Sequence, residues 1–148
     1  AKLIVATAAV AWIVQVNAGM APSYPEPGTV WKTGQTYQIV WEEDKSKPSI
    51  TEGWKDFKID LMTGDNIQQK FLMNVATGLD GKKKKEYSFK APEVHPPSAV
   101  YFLMFTNDKG DNAWTTRFAI TGEDGELVAP ENAEQPDGAT IPWGIGKL

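Results

Sequence analysis

Apolar and polar residues alternate with a period of two over most of this chain, in short runs separated by Gly, Pro, Asn and Asp. In residues 35–42, Tyr37, Ile39 and Trp41 alternate with Thr36, Gln38 and Val40, so a strand there buries three large side chains on one face. Residues 54–62 repeat the pattern, with Phe57, Ile59 and Leu61 on one side and Lys58 and Asp60 on the other. Residues 86–90 put Tyr87 and Phe89 together, and residues 113–121 carry Trp114, Phe118 and Ile120. The run 98–106 is apolar almost throughout, as expected of a central strand covered on both faces. Shorter runs at 28–32 and 67–75 complete the series.

Turn-forming residues at 33–34, 63–66, 78–85 and 107–112 separate these runs, and Pro92, Pro96 and Pro97 bracket a loop. Pro22, Pro25 and Pro27 make residues 20–27 an extended lead-in segment. Nothing in residues 19–148 shows an apolar stripe at helical spacing. The pattern predicts an all-β fold, an immunoglobulin- or fibronectin-like β-sandwich of about seven strands.

The two ends differ from this middle. Residues 1–18 have Lys2 ahead of an apolar run from Leu3 to Val16, then small residues at Val16, Asn17 and Ala18. That is the pattern of a secretory signal cleaved before Gly19, with a buried first strand or helix as the alternative, and the run is too short to be a transmembrane span. Residues 19–122 are then the sandwich, and residues 123–148 an acidic, Pro- and Gly-containing extension. The apolar ending 141–146 either docks back on the sandwich or leads into a linker.

Composition narrows the chemistry. The 148 residues suit one domain, and 41% hydrophobic residues suffice for a core. The net charge of -4 argues against nucleic acid as a partner. With no cysteine there is no disulfide, thiolate metal site or thiol nucleophile, so a secreted form is stabilised by its core alone. His95 is the one histidine, too few for a His-rich metal site, and it reads as a loop residue; no cofactor is expected. The carboxylates, among them Glu42, Asp56, Asp60 and Asp80, lie in turns or on polar strand faces, without a recognisable catalytic pair. Asp108 to Asn112 lacks the alternating ligands of a calcium loop and reads as a hairpin turn. Lys82 to Lys85 reads as a solvated turn guarding a strand edge, with a patch for an anionic polymer as the functional alternative.

Several stretches carry a family resemblance. Pro27-Gly28-Thr29-Val30-Trp31-Lys32-Thr33-Gly34, then Tyr37-Gln38-Ile39-Val40-Trp41, resemble the opening of the fungal KRE/KNH-type domain. Phe57 to Leu61, Tyr87 to Pro92, Tyr101 to Phe105 and Arg117 to Ile120 resemble its later strands. The resemblance implies a secreted or cell-wall protein linked to β-1,6-glucan assembly, non-catalytic, whose partner is cell-wall β-glucan or a wall protein. It also implies a Ser/Thr-rich region and an anchoring tail after the domain, and neither is found before Leu148. Two other functions compete: a small glycan-active enzyme using a carboxylate pair, and a structural or adhesive module that binds protein through its sheet edges. Trp31 and Trp41 fall at core positions, whereas Trp54, Trp114 and Trp143 lie near segment ends and are the candidate carbohydrate-stacking rings.

Overall fold

A computed structural model describes residues 19–45, 47 and 49–148. The expected signal segment, 1–18, lies outside the described residues. Nine strands are found among those described: β1 (Met20–Tyr24), β2 (Val30–Lys32), β3 (Thr36–Glu43), β4 (Phe57–Gly64), β5 (Gln69–Leu79), β6 (Glu86–Lys90), β7 (Tyr101–Asn107), β8 (Asn112–Trp114) and β9 (Ala119–Thr121). They form a three-stranded sheet ordered β1-β3-β6, a four-stranded sheet ordered β5-β4-β7-β8, and a parallel pair of β2 with β9. The chain crosses between the two larger sheets at β3–β4, β5–β6 and β6–β7, which is the connectivity of an immunoglobulin-like sandwich.

Alternation decides what each strand contributes to the core. Ile39 and Trp41 of β3 face Phe57, Ile59 and Leu61 of β4 and Leu103 and Phe105 of β7, all fully or almost fully buried. Two aromatic clusters run through this core. Around Trp31, Tyr37 stacks at 4.9 Å and Phe118 packs at 4.6 Å. Around Trp41, Phe57 and Phe105 meet the indole edge-on at 5.4 and 5.7 Å. The indole N–H at the centre of each cluster has an acceptor: Trp31 Nε1 donates to the Tyr24 hydroxyl (3.2 Å) and Trp41 Nε1 to the Lys84 carbonyl (3.0 Å). Tyr101, at the start of β7, donates its hydroxyl to the Pro96 carbonyl at 2.6 Å, the tyrosine corner of such sandwiches.

The structure departs from the alternation pattern in three places. The proline-rich lead-in is a true strand, β1, paired antiparallel with β3. A helical turn, α1 (Ile50–Gly53), fills the β3–β4 crossover and tucks Ile50 beneath Gly81, where a Cβ would meet Ile50 Cγ1 at 2.7 Å. The single run expected at 113–121 is broken into β8 and β9.

The extension 123–148, for its part, is packed against the sandwich rather than trailing from it. Thr63 Oγ1, fully buried, accepts from Gly146 N (2.9 Å) and lies within donating distance of the Val100 and Gly144 carbonyls. Gly146 lies so close to the Tyr101 ring that a Cβ would clash with it. His95, exposed in its loop, pairs its backbone with Lys147.

A buried Trp truncated to Ala leaves a large cavity and, here, an orphaned carbonyl at Lys84. Trp41→Ala should therefore lower unfolding free energy by about 3–5 kcal/mol. Lys84→Ala keeps that carbonyl and should melt like wild type; thermal and urea unfolding followed by circular dichroism measures both.

Candidate functional site

The outer face of the four-stranded sheet is shaped by one irregularity in the last strand. Trp114 of β8 pairs with Met104, and Phe118 forms a bridge with Tyr101, so four residue steps on one strand face three on β7. That is a β-bulge, which reverses the face on which later side chains emerge. Thr115 occupies it, its Oγ1 accepting from Leu103 N at 3.0 Å while its own amide donates to the Leu103 carbonyl. Phe118 thus enters the core, whereas Trp114 and Arg117 emerge outside.

Register fixes their neighbours. Asp60, Met104 and Trp114 lie in one row across the sheet, with Asn74 at its β5 end. The next row holds Phe71, Met62 and Phe102. Lys58, Thr106 and Asn112 form a polar row on the other side. The Trp114 indole reaches right across, donating from Nε1 to Gln69 Oε1 on the far strand at 3.0 Å. It therefore lies over the intervening strands, and Met62 and Phe102 are only 4% and 3% exposed despite facing outward. Phe71, by contrast, is 60% exposed.

Arg117 holds one end of this platform. Its guanidinium lies 4.7 Å from the centre of the Phe102 ring, a cation–π contact. Nη2 donates to the Gly64 carbonyl (2.7 Å) and Nη1 to Asn66 Oδ1 (2.9 Å). Burial pulls its pKa down to about 10 and the Asp65 carboxylate opposes that shift, so the group stays charged at neutral pH. Asp65 is itself held by the Ile67 and Gln68 amides of its own turn, both at 2.7 Å. Asp60, 3% exposed, accepts from Asn74 Nδ2 (2.9 Å) and pairs with Lys58 at 3.4 Å.

The three tryptophans singled out from sequence are thus separated. Trp54 is fully buried, edge-on to Phe57 at 5.7 Å behind α1, and this corrects the expectation that its ring stacks on sugar. It is buried because α1 and the 80–81 turn close over it, Gly81 N donating to its carbonyl. Trp114 is half-buried on the platform. Trp143 is half-buried on the extension, its Nε1 donating to the Glu134 carbonyl at 2.7 Å. The neighbouring Gly144 carbonyl accepts from Gly64 N, so Trp143 lies beyond the Arg117 end of the platform.

Phe71, Phe102, Gln69 and Arg117 escape a reading of sequence alone. A trace exists in β4, where Met62 follows Lys58 and Asp60 on the outward face and implies an apolar neighbour outside. No group of three or more metal-ligating side chains occurs among the described residues, and no described helix is long and apolar enough to cross a membrane.

The sheet order, the parallel β2–β9 closure and the tyrosine corner define an immunoglobulin-like domain. Residues 24–120 match the model of the Kre9/KNH-like N-terminal Ig-like domain, and the chain belongs to that family. No curated protein matches it closely enough to count as a relative.

Arg117→Lys tests the support of the platform. Lysine keeps the charge but cannot donate to Gly64 and Asn66 from one planar group. The substitution should lower stability by about 1.5–3 kcal/mol, the worth of a lost hydrogen bond from a charged group, as read by urea denaturation. A variant as stable as wild type would show that the fork carries no weight.

Proposed function

We propose that the domain is a non-catalytic, secreted cell-wall module that holds a β-glucan chain along the outer face of the four-stranded sheet. The family's link to cell-wall glucan assembly gives the polymer class. The observation that carries the reading is an open face on which an exposed ring, Phe71, and a half-buried one, Trp114, stand among amides and hydroxyls. Rings take up the apolar faces of pyranose units, and Gln69, Asn74, Thr106 and Asn112 can hydrogen-bond their hydroxyls. Trp143 provides an outlying contact beyond Arg117. Catalysis has little support on this face, because Asp60 is engaged by Asn74 and Lys58 and Asp65 by its turn.

One observation favours a second reading, recognition of a wall protein. Strand β5 is eleven residues long and, among the described residues, pairs with a neighbour on one side only, which leaves an edge for an added strand. Three irregularities in the β4–β5 pairing twist that edge and make it a poorer template.

Pull-down with insoluble β-1,3-glucan, β-1,6-glucan, chitin and cellulose tests the first reading. Phe71→Ala and Trp114→Ala should each weaken glucan binding about tenfold, or ~1.4 kcal/mol. Phe71→Ala should do so at an unchanged melting temperature. Undiminished binding by both variants would remove the platform as the site. Reducing-end release that depends on Asp60 would replace binding by catalysis.

A further inference from the structure

The opposite side of the sandwich has a concavity of its own. Ile39, Trp41 and Phe89 point into the core, so Gln38, Val40, Glu86 and Ser88 face outward from the three-stranded sheet. With Lys83, Lys84 and Lys85 they line a groove of about 750 Å³. The lysines of the turn are held through their backbone atoms, Lys82 N donating to Asp80 Oδ1 at 2.9 Å. The Asp80 carbonyl accepts from the Lys83 and Lys84 amides, and the Lys84 and Lys85 carbonyls accept from Trp41 Nε1 and N. The side chains are therefore not used by the fold. None of the three ammonium groups forms an ion pair among the described residues, where Lys58 and Asp60 make the one salt bridge. A lysine run that only guards an edge needs charge but no groove.

We propose that this groove is a second binding site, for a sparsely charged anionic glycan whose carboxylate or phosphodiester groups meet Lys83, Lys84 and Lys85. Glu86 stands in the same groove and the chain carries a net charge of -4. Both disfavour a polymer as densely charged as nucleic acid, with a phosphate about every 1.7 Å of axis. Beside the lysines, Gln38 Nε2 donates to Ser88 Oγ at 2.6 Å, and this exposed pair suits the hydroxyls between charges. The site does not depend on the glucan platform, which lies on the other sheet. With both occupied, the domain joins two different polymers.

Affinity electrophoresis with polygalacturonate and with a phosphodiester-bearing mannan tests the proposal, using neutral dextran, duplex DNA and phosphatidylserine vesicles as comparisons. Both anionic glycans should retard the protein, and the retardation should weaken as NaCl is raised, because salt screens the exposed lysines. The triple variant Lys83→Ala/Lys84→Ala/Lys85→Ala should lose at least about tenfold in affinity while its binding to insoluble β-glucan stays at the wild-type level. Glu86→Gln should bind the anionic glycans more tightly. The proposal is overturned if the triple variant binds them as wild type does, or if dextran, DNA or vesicles bind as well as the anionic glycans.

Discussion

Between Trp114 and Phe118 the last strand takes one residue step more than β7 can match, and the two sides of the sandwich are organised around that mismatch. Inward of it, Phe118 packs on Trp31, and Ile120 pairs with Trp31 across the parallel β2–β9 contact that closes the fold. Outward of it stand Trp114 and Arg117. A desolvated guanidinium is costly unless its donors and charge are met. Here the Gly64 carbonyl and Asn66 Oδ1 accept from the two terminal nitrogens and the Phe102 face meets the charge, while the buried Nε has no partner among the described residues. Arg117 thereby ties the β4–β5 turn to the last strand, and Gln135 ties the same turn to the extension by accepting from Asn66 N at 2.8 Å. The turn at 65–68 is a junction of three parts of the chain.

The same rule, that a buried polar group must find a partner, connects the core to its surroundings. The Trp31 indole couples β1 to β2 through Tyr24, and the Trp41 indole couples β3 to the lysine turn. That second bond positions the lysines at the rim of their groove although their side chains take no part in it. Thr63 acts similarly on the extension, which covers the end of the sandwich around Tyr101 with Gly146, where a Cβ would clash with the ring, and packs Gly144 tightly against Val100.

Strand identity was legible wherever alternation ran unbroken. Ile39 with Trp41, and Phe57 with Ile59 and Leu61, sit in the core as their spacing predicts, and the apolar run at 98–106 holds a central strand covered on both sides. Alternation failed where backbone geometry changed the count. Trp114, Phe118 and Ile120 are all even-numbered, and unbroken alternation assigns them one face; the bulge at Thr115 puts Trp114 on the other. Composition could not reveal it, because threonine is an ordinary strand residue. The platform was illegible for a related reason: Phe71, Phe102 and Arg117 are distant in sequence and meet only through register. Trp54 misled because its burial comes from α1, a helical turn too short to show periodicity. The tail was legible only in its ending, where 141–146 regains apolar side chains.

Residue-by-residue mapping of ligand contact addresses the central claim, that the outer face of the four-stranded sheet is the recognition surface. Amide chemical shifts of the labelled protein, titrated with soluble β-glucan oligosaccharides, give that map. The account predicts saturable shifts confined to Phe71, Asn74, Met104, Thr106, Asn112, Trp114 and the Trp114 indole N–H as its bond to Gln69 is perturbed. Shifts concentrated on β1, β3 and β6, or spread along the β5 edge with the platform side chains unmoved, would contradict it.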